Sequence, residues 1–174
     1  ATALAVEDMA GGTQGFFMVG DYSLRRLDGV GAGLEAAEGL LFPIVREDNK
    51  SSTLIQLINP SKSETVWLGL YLYEVSGRLV RKISAAIAPR GSFMGTIQEI
   101  FGSKYTLSEG YVTVRADLPV QGFEVVASQD SLMASMGSAS RVVDRLYSPH
   151  FFVDRQGGET TLQLISQEKE VVSA

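Results

Sequence analysis

Thr65-Val66-Trp67-Leu68-Gly69-Leu70-Tyr71-Leu72-Tyr73 carries two kinds of apolar side chain in strict alternation. Val66, Leu68, Leu70 and Leu72 fall on one side of an extended chain, and Trp67, Tyr71 and Tyr73 on the other. A period of two residues is the signature of a β-strand, because successive side chains point to opposite faces. A strand that is apolar on both faces is usually covered on both. One face therefore belongs to a core. The other either belongs to a core or interface, or offers Trp67, Tyr71 and Tyr73 as a platform on which a sugar ring stacks.

The pattern extends outward in both directions. Ser52 to Ile58 (Ser-Thr-Leu-Ile-Gln-Leu-Ile) reads as a strand ending at the turn Asn59-Pro60-Ser61. Glu74-Val75-Ser76-Gly77 turns the chain from 65–73 into Arg78-Leu-Val-Arg-Lys-Ile-Ser84, which predicts a hairpin. A second turn at Ala88-Pro89-Arg90-Gly91 leads to a strand over 92–97, and Gln98 to Gly102 reads as one helical turn closed by glycine. Residues 109–116 and 121–127 read as two strands joined by Asp117-Leu-Pro-Val120. Residues 128–146 are small and polar, a loop or an irregular edge strand, and the glycine-rich 29–33 reads as a loop. Leu34 to Glu38 has room for one helical turn. No window carries a long amphipathic helix, so the fold class expected is all-β, an antiparallel β-sandwich.

The sequence also repeats itself. Gln14-Gly-Phe-Phe-Met-Val19 matches Gln121-Gly-Phe-Glu-Val-Val126 at an offset of 107 (121 − 14). Leu40-Leu-Phe-Pro43 matches Leu146-Tyr-Ser-Pro149 at 106 (146 − 40), and Thr53-Leu-Ile-Gln-Leu-Ile58 matches Thr160-Thr-Leu-Gln-Leu-Ile165 at 107 (160 − 53). Blocks in one order at nearly one offset indicate internal duplication. The expected organisation is one complete unit over 41–146, the closing strands of a preceding unit over 1–40, and the opening strands of a following unit over 147–174.

The residues that define this unit resemble a known repeat. Leu41-Phe42-Pro43, the strand into Asn59-Pro60-Ser61, and Glu109-Gly-Tyr-Val-Thr-Val-Arg-Ala-Asp-Leu-Pro-Val-Gln-Gly-Phe-Glu-Val125 are similar to the tandem immunoglobulin-like β-sandwich repeat of bacterial secreted and cell-surface proteins. The resemblance covers 41–146 and both partial ends, and its motifs are turns and core positions. It implies an extracellular or cell-surface structural or binding module, in tandem copies. The partial ends have three readings: a piece of a longer array, two partial units pairing within the chain, or ends completing one another between chains. An open strand edge is a template for another chain. In the last reading, Gly15, Phe16, Phe17, Met18 and Val19 meet Phe151, Phe152, Val153, Leu162, Leu164 and Ile165 of a neighbouring copy, and the chain builds a filament or surface array by strand exchange.

Composition bounds the chemistry. The 174 residues hold 15 Lys+Arg, 20 Asp+Glu, one His and no Cys, a net charge of −5. An acidic chain without clustered Lys/Arg lacks the footprint of a nucleic-acid binder. No apolar run approaches the roughly 18 residues that a membrane-spanning helix needs, and the N-terminus has no basic segment ahead of a long apolar one. Without Cys there is no thiol nucleophile or Cys-ligated metal. His150 is the single imidazole, its repeat partner is Ile44, and no G-x-S-x-G nucleophile elbow accompanies it; a packing role fits it best. The carboxylate pairs are Glu7-Asp8, Glu47-Asp48 and Asp154 with Glu159; the last two lie in equivalent turns shared with Arg46, Lys50 and Arg155, without EF-hand spacing, and read as solvated turns. The expectation is a protein that is not an enzyme, with no catalytic residue, cofactor or metal. Its partners would be copies of itself or adjacent repeats, with glycan as the alternative and neither nucleic acid nor membrane insertion.

Overall fold

The computed structural model describes residues 16–20, 27–31, 36–102, 106–129, 132–136, 138–139 and 165. The chain divides into two compact units, Ala1–Ser140 and Arg141–Ala174. Of the second, only Ile165 is described, half-buried and outside any helix or strand.

The described part of the first unit is antiparallel β apart from one helical turn. Its elements are β1 (Phe16–Gly20), β2 (Leu27–Gly31), β3 (Ala37–Glu47), β4 (Ser51–Ile58), β5 (Val66–Glu74), β6 (Leu79–Ile87), β7 (Ser92–Thr96), α1 (Ile97–Phe101), β8 (Leu107–Ser128), β9 (Leu132–Met136) and β10 (Ser138–Ala139). β1 and β2 pair as a two-stranded sheet. The other eight strands form one continuous sheet, curled into an open half-barrel.

β8 is the strand on which the curl turns. Its first half lies between β3 and β5, and β6 and β10 extend that part of the sheet. Its second half lies between β4 and β9, with β7 beyond β4. The expected break at Asp117-Leu-Pro-Val120 is therefore not a turn between two strands. The strand runs through it and changes partners. Between the pairs Gly39↔Arg115 and Ala37↔Val120 the β3–β8 register slips. Pro119, which has no N–H to give a ladder, sits in that slip, where a sheet tolerates proline. Asp117 closes the gap on the other flank, its Oδ1 accepting the Trp67 backbone N–H at 2.8 Å. Three smaller expectations are also corrected or resolved. Residues 29–31 belong to β2, Ala37 and Glu38 to β3, and the small, polar stretch after 128 supplies the edge strands β9 and β10.

The core lies on the concave side. It takes Leu40 and Phe42 from β3, Ile55 and Leu57 from β4, Val112 and Val114 from β8, and the four aliphatics of β5, all buried. Burial of each such side chain contributes about 1.5–3 kcal/mol. Gly122 faces this core because nothing larger fits: a Cβ there would lie 2.7 Å from Leu57 Cδ2 and 2.9 Å from Phe42 Cζ.

The five-residue α1 is too short to be stable alone. Thr96 caps it, and the Glu99 carboxylate returns to the Thr96 backbone N–H at 2.7 Å, a capping box. Ile97 and Phe101, one turn apart, are buried, and Gly102 ends the helix as expected.

Asn59 is the polar keystone of one end. Fully buried, its Nδ2 donates to the carbonyls of Glu64 (2.8 Å), Ile87 (3.0 Å) and Ala88 (3.1 Å), and its Oδ1 accepts from Ser61 N–H (2.9 Å). One side chain thus ties the β4–β5 turn to the end of β6 and the turn that follows it.

Candidate functional site: the convex aromatic face

With the aliphatic side of β5 in the core, its aromatic side is on the convex surface. Of the two readings of that face, burial in the core is overturned. Trp67 is 65% exposed, and Tyr71 and Tyr73 are half-buried. The neighbouring strands complete the surface. Tyr71 stands opposite Lys82 of β6 and Thr113 of β8, Gly69 opposite Ser84 and Arg115, and Tyr73 opposite Leu79 and Tyr111.

Tyr71 lies at the centre. Its ring folds back along the strand over Gly69, where a Cβ would come within 3.2 Å of Tyr71 Cε2 and 3.3 Å of its hydroxyl. A side chain at 69 would displace the ring. Lys82 Nζ is 5.0 Å from the ring centroid and Arg115 Cζ 5.8 Å, both within cation–π range. Neither cation forms an ion pair among the described residues. Tyr73 and Tyr111 stack with centroids 4.9 Å apart and planes 9° apart. Burial, and then the neighbouring Tyr73, pushes the Tyr111 phenol above its ordinary range, so it stays a neutral hydrogen-bonding group. Beyond Trp67, Asp117 is held by the Trp67 N–H.

On this face the described residues bring aromatic rings, two cations and small polar side chains together. Among the described residues no group of three His, Cys, Asp or Glu side chains is placed to hold a metal. The carboxylates at the β3–β4 turn are used structurally. Asp48 Oδ1 accepts from Lys50 N–H at 2.7 Å and Ser51 N–H at 2.8 Å, fixing the turn. Glu47 is buried and accepts from Ser52 Oγ and Thr53 N–H. Burial raises its carboxyl above the usual range, and those hydrogen bonds pull it part of the way back. Glu124 is buried on the core face of β8, opposite Ile55.

Of the expected subunit-contact residues, Phe16, Phe17, Met18 and Val19 lie in β1, hydrogen-bonded to β2, with Met18 62% exposed. Gly15, Phe151, Phe152, Val153, Leu162 and Leu164 lie outside the described residues, as do His150, Glu7, Asp8, Asp154 and Glu159. Sequence reading named Trp67, Tyr71 and Tyr73 but not Tyr111, Lys82 and Arg115, which strand pairing sets beside them. The alternation of 109–116 does put Tyr111, Thr113 and Arg115 on one side. What sequence lacked was the long-range pairing that lays that side next to Tyr71.

No protein-family model and no curated protein matches this chain. Solved structures do. The crystal structure of Thermotoga maritima 1070 superposes with a TM-score of 0.51 at 14% identity, over 62% of this chain and 97% of that one. FlgD from P. aeruginosa aligns at 21% identity over 62% of this chain and 93% of its own, with a TM-score of 0.34, too distant to bear on fold or function. At 14% identity the first likeness is one of fold alone.

Proposed function

We propose that this chain is a non-catalytic structural or adhesive module built from immunoglobulin-like sandwich repeats, working outside the cell or at its surface, whose copies join by sharing strands. One observation carries this reading. β1 and β2 form a sheet of their own, and β1 matches the second half of β8 at the repeat offset of 107. Phe16 to Gly20 correspond to Phe123 to Ala127, and in both places the strand turns back into an antiparallel partner.

The two hairpins differ in what flanks them. On its other edge, the second half of β8 is hydrogen-bonded to β4 from Ile58↔Gln121 to Ser51↔Ser128. β1 has no such neighbour among the described residues, although β2 lies close to β9. A lone two-stranded hairpin is marginal in water, and its open edge accepts a further strand. The residues that match β4 are 158–165, and in this proposal that segment of another copy pairs with β1, with Leu162 opposite Phe17 as Ile55 is opposite Glu124. A head-to-tail contact that does not close on itself grows a filament.

Light scattering on the intact chain, across protein concentrations, tests this. Masses rising far above 18.8 kDa without a fixed stoichiometry are expected. A synthetic peptide of residues 158–167 should stop the growth by occupying the β1 edge. A constant 18.8 kDa, or growth indifferent to the peptide, overturns the proposal.

A further inference from the structure

We propose that the convex face of β5, β6 and β8 binds an acidic polysaccharide, its sugar rings lying on Trp67 and Tyr71 and its carboxylates meeting Lys82 and Arg115. The inference is independent of how copies assemble, since it uses no residue of the terminal segments.

The fold leaves these rings unexplained. The core is filled by the aliphatic side of β5, and Trp67 is 65% exposed. Large apolar surface left in water forgoes the stabilisation that burial gives, so a contiguous patch of it usually marks a binding site. Tyr71 does not project into solvent but lies along the strand over Gly69. The apolar C–H face of a pyranose ring stacks on a ring presented in this way.

On a chain of net charge −5, the two side chains over Tyr71 are both cations, and neither has an ion-pair partner among the described residues. A carboxylate brought there gains charge-assisted hydrogen bonds. A neutral glycan would leave both cations unused. A single-stranded nucleic acid would also stack, but its affinity comes from many Lys/Arg–phosphate contacts, and this face offers two on an acidic molecule. The face is also long. Trp67 and the stacked Tyr73 are six residues apart on one strand, about 20 Å at the usual rise. That is more than one sugar ring covers, so the ligand is a polymer.

Isothermal titration of the full chain with polygalacturonate tests the proposal, with a neutral galactan and a single-stranded oligothymidylate as comparisons. Polygalacturonate should bind and weaken as salt rises, and the galactan should bind at least tenfold less tightly. Trp67→Ala should reduce affinity at least tenfold, and so should Lys82→Gln combined with Arg115→Gln. All three side chains are at the surface, and circular dichroism checks that each variant keeps the wild-type fold. The proposal fails if polygalacturonate does not bind or if both variants bind as wild type does. It also fails if the oligothymidylate binds more tightly, in which case the face reads nucleic acid.

Discussion

Replacing Asn59 is the sharpest test of how this half-barrel holds together. Its side chain is fully buried; the two Nδ2 hydrogens serve three carbonyls, one hydrogen being shared, and Oδ1 accepts one N–H. At about 1 kcal/mol net for each of these three hydrogens, Asn59→Ala should cost about 3 kcal/mol. That is a large share of the 5–15 kcal/mol that holds a typical domain folded. Asn59→Asp separates hydrogen bonding from packing, because the two side chains have nearly the same shape. The Ser61 contact survives, but the ionised carboxylate sets an oxygen against the carbonyls of Glu64, Ile87 and Ala88. At pH 7 the aspartate variant should therefore be less stable than the alanine variant. Facing carbonyls in a dry site, the introduced carboxyl has a folded pKa raised above its unfolded value of about 3.9. Its penalty is then absent below that value and grows as pH rises through the folded pKa. Urea unfolding followed by circular dichroism, for wild type and both variants at pH 4 and pH 7, gives the answer. The aspartate deficit should shrink at pH 4, and the alanine deficit should not. An alanine cost below about 1 kcal/mol, or an aspartate variant as stable as wild type at pH 7, would refute the argument.

Three further outcomes follow from the packing. Gly122→Ala puts a methyl against Leu57 and Phe42 at 2.7 and 2.9 Å and should cost about 1–3 kcal/mol in urea unfolding; a neutral result would mean that β4 and β8 slide apart freely. Leu70→Ala empties the middle of the core and should cost about 2–5 kcal/mol by the same assay, whereas Trp67→Ala on the opposite face should change stability little. Glu47 titrates above the usual carboxylate range because it is buried. Its contribution is thus fully present below the unfolded pKa and is lost as pH rises through the raised folded one. Glu47→Gln should flatten the wild-type decline in stability over that interval, and parallel pH curves would show that the carboxyl does not titrate there.

Local chemistry wrote much of this fold into the sequence. The alternation of 65–73, the hairpin at 74–78, the turn at 59–61 and the glycine-closed helical turn each depend on residues within a few positions, and each formed where expected. The capping box of Thr96 and Glu99 was equally local and could have been read from its spacing. Asn59 was legible as a turn residue but not as a clamp, because two of the carbonyls it holds lie 28 and 29 residues further along.

What local pattern does not determine is which side of a doubly apolar strand faces inward. From 65–73 alone, the aliphatic and aromatic faces of β5 are both candidates for the core. The choice belongs to the strands beside it. Pairing sets Val112, Val114 and Ile83 next to the aliphatics, and Lys82, Thr113 and Arg115 next to the aromatics. Burying the second set would take two cations out of water without partners, a cost that apolar contact does not offset. The aromatic face therefore stays outside. Pro119 carries the same lesson. By itself it reads as a break, and only the change of partners along β8 shows that the strand needs no hydrogen bond at that residue.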